Sequence, residues 1–151
     1  RAALPANQDV VVVGPQETDS VPGLKRGALR RPVVGRLADP KDAANMTPGI
    51  TFITDVSASV VAPADSRVLF AGRYHKGGEA LILEMPGGYD LVLAGMDRIA
   101  VRPGDQLLAG EPVGAMSSGA GGRLYFEVRQ NGKSFSPLPW LEPDLRKANR
   151  S

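Results

Sequence analysis

From Leu29 onward the chain alternates between short apolar runs and punctuation. The runs are Ser59–Pro63, Arg67–Ala71, Ala80–Met85, Tyr89–Ala94, Gln106–Leu108 and Leu124–Gln130. Between them, turn-forming residues cluster at Pro63-Ala64-Asp65, Lys76-Gly77-Gly78, Pro86-Gly87-Gly88, Arg102-Pro103-Gly104-Asp105 and Gln130-Asn131-Gly132-Lys133. Regular short runs with such turns and no long helical period predict an all-β barrel or sandwich. Asn131-Gly132 is the strongest hairpin signal, because both residues tolerate φ > 0. Only Pro40–Asn45 and Pro143–Ala148 read as helical, and both are short.

Period-two alternation predicts which side chains share a face. Val68 and Phe70 are expected on one face of their strand. In Leu124–Arg129 the set Leu124, Phe126 and Val128 faces one way, and Tyr125, Glu127 and Arg129 the other. That second set puts an aromatic, an acid and a guanidinium in line opposite an apolar face. It reads either as an ordinary solvated row or as part of a site.

Residues 1–28 read differently. They carry Pro5, Pro15 and Pro22 and a single apolar run, Val10–Val13, closed by Gly14-Pro15. This predicts an arm or linker containing one lone strand, either docked at an edge or lying over a surface. Residues 29–142 form the expected domain and 143–151 a C-terminal tail. The basic group Lys25, Arg26, Arg30 and Arg31 reads as a solvated face.

Composition narrows the chemistry. The 151 residues include 18 Lys+Arg, 16 Asp+Glu, one His and no Cys, for a formal net charge of +2. That balance gives no argument for nucleic acid. Without Cys there is no disulfide, zinc finger, iron–sulfur cluster or thiol nucleophile. His75, the lone imidazole, falls in a turn and excludes any site needing two. Ser117–Gly122 looks like a phosphate loop, but it lacks the Lys-Ser/Thr ending and leads into a strand rather than a helix. Glu84, Asp90 and Asp97 are candidate paired carboxylates, but they sit at turns, with no apolar pocket implied to raise a pKa. No run is long enough to span a membrane. The opening Arg1-Ala2-Ala3-Leu4-Pro5 has neither Met nor an apolar leader, which suggests a processed protein or a cut fragment.

Five segments, in order, resemble the LytM/lysostaphin-like zinc metallopeptidase domain. Gly49-Ile50-Thr51-Phe52 is similar to its Gly-Ile-Asp-Ile strand, and Val61–Val68 to its V-x-A-P-A-D-G-x-V segment. Ile99–Leu107 with Gly110–Gly114 resembles V-x-x-G-D-x-V…G-x-x-I-G. Arg123–Gly132 resembles H-L-H-F-E-V-R-x-N-G, and Ser136–Leu141 the closing x-P-x-x-W-L. Gly27–Gly35 resembles, more weakly, the entry strand. The fold this resemblance implies is an antiparallel β-sheet of barrel-sandwich type with a long N-terminal arm.

The resemblance also implies where zinc would be held, and those positions depart from the pattern. The His, Asp and second His of the metal set fall on Thr47, Thr51 and Tyr125, and two further catalytic imidazoles on Gly95 and Arg123. The expectation is a non-enzyme with no metal or cofactor. It is similar to the EnvC-type murein hydrolase activators, which switch on N-acetylmuramoyl-L-alanine amidases at division. The resemblance implies a periplasmic location in a Gram-negative bacterium, with a leader and coiled coil outside this sequence linking to a division-site membrane complex. The expected partner is the amidase, seated in the former active-site groove on Tyr125, Arg129, Thr51 and Leu93, with residues 1–28 a groove-covering arm. Direct peptidoglycan binding, a residual metallo-endopeptidase, and a lipoyl-type carrier loaded at Lys76 are the alternatives.

Overall fold

The computed structural model describes residues 25, 27–39, 48–74, 77–119 and 122–143. They form β1 (Gly35–Leu37), β2 (Ile50–Thr54), β3 (Ser59–Val61), β4 (Ser66–Arg73), β5 (Glu79–Met85), β6 (Tyr89–Met96), β7 (Arg98–Ile99), β8 (Gln106–Leu107), β9 (Pro112–Ala115), β10 (Arg123–Gln130) and β11 (Lys133–Phe135). Among the described residues the only helical element is a 3-10 turn at Leu138–Trp140. No helix among them is long and apolar enough to cross a membrane. The expected helices at 40–45 and 143–148, the Val10–Val13 run and His75 lie outside the described residues, apart from Pro143.

An eight-stranded antiparallel sheet runs β1-β2-β10-β6-β5-β4-β8, with β11 paired to β10, and a three-stranded sheet runs β3-β9-β7. The core lies against the inner face of the large sheet. Registers place Phe126 opposite Leu93 and Leu93 opposite Leu81, and all three are fully buried. Val60 of β3 and Val113 of β9 close the same cluster from the small sheet. Each such side chain contributes about 1.5–3 kcal/mol by leaving water, which is how a core with few aromatic residues holds the sheets together.

The ends of the described domain are joined. Leu29 forms a parallel bridge with Leu141, its N–H donating to the Trp140 carbonyl, and the Arg31 N–H donates to Glu142 Oε2. The Asn131-Gly132 turn is as expected, with φ of 53° and 79°. One expectation fails. Val68 and Phe70 do not share a face: Val68 is 1% exposed and opposite Leu83, whereas Phe70 is 44% exposed and opposite Ile82. A bulge inserts Leu69 without a partner on β5, and one extra residue inverts the alternation beyond it.

Candidate functional site

Across the outer face of the large sheet, register gathers side chains into rows. The upper row reads Thr51, Tyr125, Ala94, Ala80 and Gly72 across β2, β10, β6, β5 and β4. The next reads Glu127, Val92, Ile82 and Phe70. Val92, Ala94 and Ala80 are buried yet stand outside the core cluster, as expected for residues on the opposite face.

Glu127 is the hub of this face. Its residue is 4% exposed, and its carboxylate accepts from three side chains. The Tyr125 hydroxyl donates to Oε1 at 2.5 Å; Arg129 Nε at 2.5 Å and Ser134 Oγ at 2.7 Å donate to Oε2. The Gly49 N–H donates in turn to the Tyr125 hydroxyl at 3.2 Å, which completes a chain from β2 to β11. Burial pushes the Glu127 carboxyl up, but hydrogen bonds from Tyr125, Arg129 and Ser134 with the Arg129 charge outweigh it, and it titrates below the ordinary range. A Cβ on Gly49 would sit 2.5 Å from the Tyr125 ring, so only glycine lets that ring lie against β2.

The positions expected to mark a lost metal site gather at one end of this face. Thr51 is opposite Tyr125, and Arg123 lies two residues before Tyr125, opposite Ile53. Gly95 has φ of 109°, and a Cβ there would collide with the Arg123 carbonyl, so this backbone excludes a larger residue. Thr47 lies outside the described residues. These residues do not fit zinc. Thr51 offers a neutral hydroxyl, Gly95 nothing, and Arg123 an exposed cation; the Tyr125 hydroxyl and both Glu127 oxygens are already engaged. No group of three His, Cys, Asp or Glu among the described residues could hold a metal ion.

One expectation about this surface changes. Leu93 does not line it: opposite Phe126 and Leu81, it is fully buried in the core, and Asp90, Val92 and Ala94 are the residues β6 sends outward. Arg129 has its Nε paired to Glu127 while 48% of its side chain stays exposed. Sequence reading set Glu127 in line with Tyr125 and Arg129 without naming it as a partner contact, and passed over Ser134. The signal for Ser134 was present, since a two-residue Asn-Gly loop fixes Arg129 opposite Ser134. Asp90 also departs from its reading as an unperturbed turn residue. Burial, and then the neighbouring Glu84 charge, raise its pKa, with Arg129 pulling the other way.

The chain is similar to known proteins over most of its length. The murein hydrolase activator EnvC of Escherichia coli K12 is 33% identical over 117 residues, which cover 75% of this chain and 28% of that protein. The murein hydrolase activator NlpD of Salmonella dublin is 34% identical over 96 residues, or 62% of this chain and 26% of that protein. The chain thus spans about a quarter of the length of these relatives. The catalytic domain of the antimicrobial peptidase lysostaphin from Staphylococcus simulans superposes with a TM-score of 0.56 at 22% identity, covering 64% of this chain and 80% of that one, and so shares the fold. Residues 45–137 match the model of peptidase family M23, and with the sheet and its rows in place, the chain belongs to that family.

Proposed function

We propose that this chain is a non-catalytic activator of peptidoglycan amidases, acting in the periplasm of a Gram-negative bacterium during cell-wall splitting at division. In this reading residues 29–142 are the docking domain, and a segment of an N-acetylmuramoyl-L-alanine amidase seats on the outer face beside Tyr125, Arg129 and Thr51. Residues 1–28, of which only Lys25, Gly27 and Ala28 are described, would be a groove-covering arm in this reading, and 143–151 a tail.

One observation carries the reading. Where a hydrolase would present metal ligands, this sheet presents Tyr125 held between Gly49 and Glu127, with the half-exposed Arg129 beside it. A fixed aromatic and a fixed guanidinium are the residue types that anchor protein interfaces, because little side-chain freedom is left to lose on binding. Without a metal set among the described residues there is no activated water on this face to cleave a peptide bond. The relatives named as murein hydrolase activators support the same role.

Dye release from labelled sacculi tests it. The domain alone should release no dye, and the domain with a cognate amidase should release more than the amidase alone. Tyr125→Ala and Arg129→Ala should each weaken stimulation by about 1–3 kcal/mol of binding. Normal stimulation by both variants refutes the docking site; release by the domain alone refutes the non-catalytic reading.

A further inference from the structure

Below the Tyr125 network a charged row crosses the outer face. Arg129 of β10 is opposite Asp90 of β6, Asp90 is opposite Glu84 of β5, and Glu84 is opposite Arg67 of β4. Side chains at directly opposed positions share a face and lie within about 5 Å of each other at Cβ. Two carboxylates therefore stand side by side between two guanidiniums.

Each cation donates a short hydrogen bond to a glutamate, and the Arg129 charge also acts on Asp90. Arg67 Nη2 donates to Glu84 Oε1 at 2.7 Å, and Arg129 Nε donates to Glu127 Oε2. Asp90 has no hydrogen bond or close ion pair among the described residues. With Glu127 counted, Glu84, Asp90 and Glu127 face Arg67 and Arg129, which leaves one negative charge in excess. Beside this row lie Ile82 and the 44%-exposed Phe70. Past Arg67 and Glu84 the strip opens into a cleft of about 640 Å³ that Met85, Gln106 and Leu108 also line, with Leu108 69% exposed.

We infer that this strip is a docking surface for a basic amphipathic protein segment, with a lysine or arginine seated on Asp90 and apolar side chains on Ile82 and Phe70. The inference rests on the activator reading and extends its contact from Tyr125 toward β4 and the cleft. The excess carboxylate selects the charge. A neutral segment would strip water from Asp90 with nothing in exchange, and an acidic one would be repelled. A basic residue restores balance to a row that, with Glu127 counted, holds one carboxylate more than it has cations. The apolar neighbours select a protein segment over a bare glycan strand.

Amidase titrations of the whole chain in the dye-release assay test this. Asp90→Asn should raise the amidase concentration for half-stimulation about tenfold, Asp90→Lys should abolish stimulation, and Asp90→Glu should retain it. Burial and the Glu84 charge disfavour the ionised carboxylate, so Asp90→Asn should melt no lower than wild type, which separates docking from a structural role. A benzophenone crosslinker at position 82 should capture an amidase peptide containing Lys or Arg, and changing that residue to Glu should rescue Asp90→Lys. Wild-type stimulation by Asp90→Asn and Asp90→Lys, with Tyr125→Ala impaired, overturns this inference alone; normal stimulation by Tyr125→Ala as well overturns the docking face beneath it, and no stimulation by the wild-type chain overturns the activator reading. Loss of sacculus retention by Asp90→Lys without amidase would make the occupant peptidoglycan and overturn the protein partner.

Discussion

The two faces of β10 are specified by different physics. Inward, Leu124, Phe126 and Val128 are fully buried and need only fill volume against Leu93, Leu91 and their neighbours. Outward, Tyr125, Glu127 and Arg129 gain little from burial and depend on donors arriving from Gly49 and Ser134. The inner set tolerates exchange among side chains of similar size. The outer set does not, because a buried carboxylate that loses its donors pays the full desolvation penalty. A strand can therefore keep an inherited core while its other face is rebuilt for a new task.

The sharpest way to break the comparison is on the inner face. Phe126→Ala should lower unfolding free energy by about 3–5 kcal/mol, read by urea denaturation, because it opens a cavity between Leu93 and Ile50. Stimulation should fall only in step with the folded fraction.

On the outer face Glu127→Ala should cost less, about 1–3 kcal/mol, because the stranded Arg129 is half exposed and can turn to water. It should nevertheless reduce stimulation of the folded protein, since Tyr125 and Arg129 lose their common anchor. This network also sets a pH dependence. The Glu127 pKa lies below its unfolded value, so its stabilisation is present above the unfolded carboxylate range and is lost as pH falls through the folded value. Asp90, shifted upward, acts in the opposite sense. Urea midpoints measured downward from pH 6 should therefore fall more steeply for wild type than for Glu127→Gln.

The smallest effect belongs to Ser134→Ala, which removes one of three donors to Glu127. A loss of about 1 kcal/mol with a small upward move of the Glu127 titration, followed by carboxylate NMR, would place Ser134 in support of the acid. An unchanged titration would confine the network to Tyr125 and Arg129.

How far the sequence reached differs between these faces for one reason. Period-two alternation is local, so the strands β3, β4, β5, β6, β8 and β10 and the inward set of β10 were readable from neighbours in the chain. The short β7 and β9 were not, since Arg98-Ile99 is no apolar run and Pro112 and Gly114 interrupt the other. The bulge at Leu69 was equally invisible, as it is fixed by what β5 offers opposite. Leu93 was misplaced because β6 is apolar on both faces and alternation cannot orient such a strand.

The sequence by itself determined the all-β class and the hairpin at Asn131-Gly132, since each is written in residue identity and local spacing. Only tertiary structure decided that Glu127 is a buried hub rather than a solvated acid, and that Arg129 of β10 stands opposite Asp90 of β6. Those facts depend on which strands become neighbours, and strand order comes from the packing of the whole chain rather than from any segment of it.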